Sequence, residues 1–195
     1  MRHWLLPLRL LPAGLALGVM MAGGACQSIR PARATDAVVA ETGARLVGLH
    51  PGPVRPAVLA EARRLAAVAE QSTRNFAAEY RVGGPSWWHN CLVNIGLKQR
   101  GLCWHYMEDL FAKLAAEHPV NFDLHCGVRD DENLFLEHNC VVITAAGKEF
   151  ASGLVLDPWR KPGQLVIHPT HGAGRTWHEQ RGYTQALQRR AMGRE

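Results

Sequence analysis

The feature that most constrains this chain is a change of hydrophobic period near residue 119. Before it, apolar residues recur at helical spacing; after it, they alternate or form short runs. Pro56 opens the first long helical pattern, because proline suits a first helical position. Leu59, Ala62, Leu65, Ala66, Ala69, Phe76 and Tyr80 make its stripe, and Gly83 and Gly84 end it. Pro85 starts a second helix with Trp88, Cys91, Leu92 and Ile95 on one face, and Gly101 stops it. A third helix begins at Cys103 or Trp104. Its predicted buried stripe is Trp104, Met107, Leu110, Phe111, Leu114 and Ala115, and Pro119 ends it. Residues 122–128, 138–145 and 153–157 then read as strands. Asp130-Asp131-Glu132-Asn133 and Ala146-Gly147-Lys148 supply the turns. Helices followed by an antiparallel meander predict an α+β fold, with the helices packed on a small sheet. Hydrophobic residues make up 47% of the 195, enough for one domain with a real core.

The two ends read differently. Arg2 and Arg9 precede an apolar run over 10–22, and Gly23, Gly24 and Ala25 lead to Cys26. Charged, apolar and small segments in that order mark a secretory signal over residues 1–25. The run is shorter than the roughly 20 apolar residues of a spanning helix. Its end resembles a bacterial lipobox, with Gly23 where an aliphatic residue is usual. That resemblance implies lipid attachment at Cys26 and a membrane anchor. Gln27 in the next place implies the periplasmic face of the outer membrane. A plainly secreted protein with a free or disulfide-bonded Cys26 is the alternative. Residues 26–55, rich in Ala, Pro, Arg and Gly, read as a tether with a short strand over 44–49. Residues 56–169 form the domain. Residues 170–195 read as a polar tail with one short helix over 183–192. Without Arg2 and Arg9, 20 Lys and Arg face 17 Asp and Glu, too weak an excess to imply nucleic acid. The arginines at 175, 181, 189, 190 and 194 read as solvated.

The chemistry gathers on three residues. Cys103 stands where a loop becomes an amphipathic helix, and the unpaired N–H groups and dipole of a helix start favour a thiolate. A thiolate nucleophile needs a histidine as base and acid, and that histidine needs an orienting group. His138 leads one apolar strand and Asp157 ends the next. Alternation puts His138, Cys140 and Val142 on one face, and Val155 and Asp157 on one face of the following strand. Both faces are expected to cover the Cys103 helix. A side-by-side antiparallel pair makes His138 and Asp157 neighbours.

Gly-x-Cys-Trp opening a helix, then a strand led by His, then a strand ending Asp-Pro, resembles the transglutaminase-like branch of the papain-like cysteine enzymes. The resemblance covers about residues 85–160. It implies a helix packed on an antiparallel sheet and thioester chemistry on an amide. Cys103 is then nucleophile, His138 base and acid, and Asp157 the orienting carboxylate. No cofactor is implied, and the substrate is an envelope protein or peptide. Asn139-Cys140-Val141 departs from the aromatic and aliphatic residues the family often has after its histidine. Trp87, Trp88, Asn94, Gln99 and the Cys103 backbone N–H are candidate oxyanion donors.

Other readings compete. A non-catalytic envelope lipoprotein binding peptidoglycan or a protein is one. A Cys/His metal site is another, drawing on Cys103/His105, His125/Cys126 and His138/Cys140. None of these has strong zinc spacing, and adjacent strand residues face opposite ways. His105 reads as structural, and His89 as solvated or capping beside a possible cleft. Glu108 and Asp109 read as surface charges matching the dipole, and Arg160 as a surface fork, with carboxylate binding as the alternative. Cys126 and Cys140 lie symmetrically about Asn133, which leaves a disulfide or two buried thiols open. Cys91 is expected in the core.

Overall fold

The computed structural model describes residues 33–129, 137–172 and 175–193. The leader, Cys26 and the turn over 130–133 lie outside the described residues. The fold is mixed α+β, with five α-helices and a small antiparallel sheet among the described residues. The order is α1 (Asp36–Val47), α2 (Pro56–Glu79), α3 (Ser86–Asn94), α4 (Cys103–Ala115), β1 (Phe122–Arg129), β2 (His138–Ala145), β3 (Leu154–Lys161) and β4 (Gln164–Pro169). Three two-residue strands follow, β5 (His171–Gly172), β6 (Arg175–Thr176) and β7 (His178–Glu179), then α5 (Arg181–Ala191). The main sheet runs β4-β3-β2-β1-β7, and β5 pairs only with β6.

Period-two alternation sorts the sheet into two faces. Phe122, Leu124 and Cys126 of β1, Val141 and Ile143 of β2 and Leu156 of β3 join the helix-side core. There they meet Tyr106, Met107, Leu110, Phe111 and Leu114 of α4 and the Ala62–Leu65–Ala66–Ala69–Phe76 stripe of α2. The other face holds a smaller cluster of Cys140, Val142, Val155 and Trp177, with Phe150 against it. Cys140, Val142 and Val155 therefore face away from α4, contrary to the expectation that they cover it. The strand residues between them contact the helix instead.

Five further expectations are corrected. Where a tether with a strand over 44–49 is predicted, α1 forms and packs along α2. Thr35 caps it, and Thr42 donates to the buried Glu70 carboxylate at 2.8 Å. That long-range polar contact has no local sequence signal. The 170–195 tail is part of the body: β7 pairs with β1, and Thr184 accepts the Cys126 backbone N–H at 2.9 Å. Trp177 and Leu187 are buried there. The short helix expected over 183–192 is α5 (Arg181–Ala191), whereas the two-residue strands before it carry no readable pattern. β4 extends the sheet beyond the last expected strand, and β3 runs on through Pro158 with a bulge between Asp157 and Lys161. In α3 the inward residues are Ser86 and His89, whereas Trp88, Cys91 and Ile95 are exposed. Trp104 is also exposed, and Tyr106 takes its place in the core.

Candidate active site

The loop before α4 is held from two sides. Gly101 has φ +125°, and a Cβ there would lie 2.3 Å from the His89 ring, so glycine is required. His89 is buried rather than solvated, and its Nε2 donates to the Arg100 carbonyl at 2.9 Å. From within α4, His105 Nδ1 accepts the backbone N–H groups of Gly101 and Leu102, each at 3.2 Å. Burial first, and then the Arg100 charge, holds the His105 pKa below its usual value. A neutral ring keeps that nitrogen an acceptor. His105 is thus structural, as its position in the helix suggests. It fixes the turn that presents Cys103 as the first residue of α4.

Cys103 is 8% exposed, with its sulfur 3.8 Å from the Glu137 carbonyl and 3.9 Å from Asn139 Nδ2. Burial alone would raise its pKa. Hydrogen bonding and charge from His138, with the backbone N–H and side chain of Asn139, outweigh that and lower it. The first N–H groups of a helix have no intrahelical acceptor, so those of Cys103 and Trp104 also favour negative charge here.

His138 is buried at the start of β2, and its Nε2 donates to Asp157 Oδ2 at 2.7 Å. That bond sets the tautomer with Nδ1 unprotonated in the neutral ring. Nδ1 makes no formal hydrogen bond among the described residues, while ring and thiol are close enough to shift one another's pKa. Trp159 and Trp177 enclose the ring, with centroids at 4.8 and 5.5 Å.

Asp157 is fully buried at the bulge of β3. Its Oδ1 accepts the backbone N–H groups of Trp159 at 3.1 Å and Arg160 at 2.9 Å. Its Oδ2 also accepts from Arg160 Nε at 3.2 Å. Burial would raise this carboxyl, but His138 and then Arg160 hold it at about 2. Arg160 is therefore a carboxylate partner within the cluster, not a surface residue.

A second thiol touches the same imidazole. Cys140 Sγ lies 3.5 Å from His138 Nε2, and burial pushes its pKa to about 12. Burial would by itself lower the His138 pKa. A Cys140 thiolate would raise it, but this thiol stays protonated at neutral pH. The Asp157 hydrogen bond and Cys103 therefore carry the upward shift of the ring.

Sequence reasoning brought Cys103, His138 and Asp157 to one place, and the structure gathers them. The upstream donor candidates Trp88, Asn94 and Gln99 are exposed, and no hydrogen bond among the described residues ties any of them to the cluster. Cys140 shares the His138 face, as its i, i+2 spacing predicts, and Arg160 takes the carboxylate role that its sequence reading left open, whereas Asn139 and Trp177 are neighbours of the site that no sequence pattern marked. Glu108 and Asp109 are tied down rather than solvated. Tyr183 donates to Glu108, and Tyr80 and Arg100 donate to Asp109.

The donor atoms of His138, Cys140 and Asp157 lie within 4.8 Å of one another. Asp157 already accepts four hydrogen bonds, one from a guanidinium, and Cys140 is protonated. That set suits orientation of an imidazole better than binding of a cation. The other two Cys/His pairs diverge. His105 bonds the loop, and His125 bonds Glu179 and Thr144 while Cys126 enters the helix-side core. Cys126 and Cys140 are free thiols on opposite faces, because Cys126 pairs with Val141 rather than Cys140. A groove of about 310 Å³ between α4 and α5 is a different place, lined by Phe111, Leu187 and Arg190.

Compared with protein families, with curated proteins and with solved structures, the chain matches none.

Proposed function

We propose that this protein is a cysteine-nucleophile acyl-transfer enzyme of the bacterial envelope, built on a papain-like/transglutaminase-like core. One observation supports the reading: an imidazole bonded at 2.7 Å to a buried carboxylate leads the strand whose next residue, Asn139, approaches the sulfur of Cys103 at a helix start, and the charge and hydrogen bonding of that imidazole lower the Cys103 pKa. The Cys103 thiolate attacks an amide carbon and forms a C–S bond. The C–N bond then breaks as His138 gives its Nδ1 proton to the departing amine. Water, deprotonated by His138, attacks the thioester, releasing an acid and restoring the thiolate. An amine in the place of water gives transfer instead. Asp157 keeps the ring oriented and stabilises its protonated form. Asn139 Nδ2 and the Cys103 N–H are the donors nearest the developing oxyanion. The same reading makes the chain a lipoprotein anchored through Cys26 at the outer membrane, with an envelope protein or peptide as substrate.

Iodoacetamide labelling followed by peptide mass spectrometry tests the nucleophile, because the exposed Cys91 serves as a reference thiol in the same molecule. Cys103 is expected to label faster than Cys91 at pH 6–7 despite its burial. Labelling slower than Cys91 across that range removes the enzyme reading and leaves a binding protein. Loss of membrane retention in Cys26→Ser tests the anchor separately.

A further inference from the structure

A patch of large apolar side chains stands out of α3 and the loop after it. Trp87 is 64% exposed, Trp88 47%, Ile95 68% and Leu97 70%. Trp87, Cys91 and Ile95 fall at i, i+4 spacing and so line one stripe of the helix. This orientation is imposed from the other side of α3. Ser86 donates to the Trp159 carbonyl, and Trp159 Nε1 donates to Asn90 Oδ1 at 3.2 Å. His89 is locked under the Cys103 loop. The helix therefore cannot roll its tryptophans inward without breaking the support of the candidate site. A packed, outward apolar stripe of this kind marks a binding surface.

Charge says what covers it. From Tyr80 to Met107 the chain has no Asp or Glu, but has Arg81, Lys98 and Arg100. Tryptophans flanked by cations on an otherwise apolar helix suit the headgroup region of an anionic bilayer. Arg100 is paired with Asp109, which leaves Arg81 and Lys98 as the cations of this segment that an anionic surface would attract.

The chain outside the structure points the same way. The described residues begin at Arg33, and Ala34 N–H is bonded to Gln71 of α2 at 3.2 Å. Gln71 lies about 14 Å along the helix axis from Tyr80, from which the chain passes into α3. Because α1 is docked on α2, only seven Cα-to-Cα steps, from Cys26 to Arg33, separate the proposed lipid from the folded body. Seven steps reach at most about 25 Å. The described chain therefore enters the body on the C-terminal half of α2, the half that leads into α3.

We infer that the α3 stripe is a second membrane contact: Trp87, Trp88, Ile95 and Leu97 insert into the interface of an anionic lipid bilayer. The tether argument rests on the anchor reading; the exposure and charge arguments do not.

The test uses the full chain carrying Cys26→Ser and Cys103→Ser, which removes the lipid and leaves Cys91 as the exposed thiol among the described residues. An environment-sensitive fluorophore on Cys91 is read against vesicles of phosphatidylcholine with and without phosphatidylglycerol. Blue-shifted emission, quenched by a lipid-borne quencher, is expected with phosphatidylglycerol present. Trp87→Ser with Trp88→Ser is expected to weaken that response about tenfold or more in lipid concentration. Unshifted emission from protein that co-sediments with the vesicles overturns the inference. So does an equal response on phosphatidylcholine alone, or a response to unfolded casein and none to vesicles; the last would assign the stripe to polypeptide. Because the lipid site is absent from this variant, a failed anchor reading leaves the result unaffected.

Discussion

Two thiols lie on either side of the same imidazole, and their surroundings make them opposites. Cys103 starts a helix, is slightly exposed and has amide donors beside its sulfur, and its pKa is lowered. Cys140 sits inside the smaller core on the other face of the sheet, with no exposure, and burial drives its pKa to about 12. Both neighbour His138. A histidine is therefore insufficient to make a nucleophile. The helix start, the N–H donors and the partial solvent contact decide which sulfur carries charge.

The sharpest way to break this comparison is to exchange the sulfurs' fates. Cys103→Ala is expected to lower amide turnover by about 10⁴-fold or more, whereas Cys140→Ala lowers it by less than about tenfold. Equal losses, measured on any turned-over peptide, would end the distinction. Asp157→Asn should cost about 10² to 10⁴ in turnover, because the ring loses its preferred tautomer. The Cys103 labelling profile should also shift toward higher pH in that variant, an effect that mere loosening does not produce. Trp177→Ala opens the core around Cys140 and is expected to cost about 3–5 kcal/mol in urea denaturation. Cys140 should then label with iodoacetamide in the folded state, sharpening the role of burial.

The smallest effect is in pH. The Asp157 carboxyl is held at about 2 against a usual 3.8, so its interactions contribute stability that is present above pH 3.8. This contribution is lost as pH falls from 3.8 toward 2, and Asp157→Asn should flatten that part of the denaturation curve. The raised His138 has the opposite sign. Its charged form stabilises the fold below the usual pKa of 6.5, and that contribution fades as pH rises through the higher folded value.

Much of this was legible along the chain. The helix stripe of α2, the start of α4 at Cys103 and β2 over 138–145 follow from period and punctuation alone. So does the meeting of His138 with Asp157, since two short consecutive strands pair as antiparallel neighbours. What was illegible depended on polar contacts between distant segments. α1 is held by Thr42 on Glu70, and the segment from Thr170 by Gln180, Thr184 and Glu179 on the sheet. The inward face of α3 is polar, so its hydrophobic pattern pointed the wrong way.

By itself, then, the sequence determined the mixed α+β class, the order of elements from α2 to β3, and the pairing of strands that joins His138 to Asp157. Periodicity and local breakers act within a few residues and need no partner. Only the tertiary structure decided that Cys140 also lies against the imidazole, that Arg160 completes the carboxylate's shell, and that α3 turns its tryptophans outward. Those outcomes depend on burial and on hydrogen bonds between segments far apart in the chain, which no local pattern encodes.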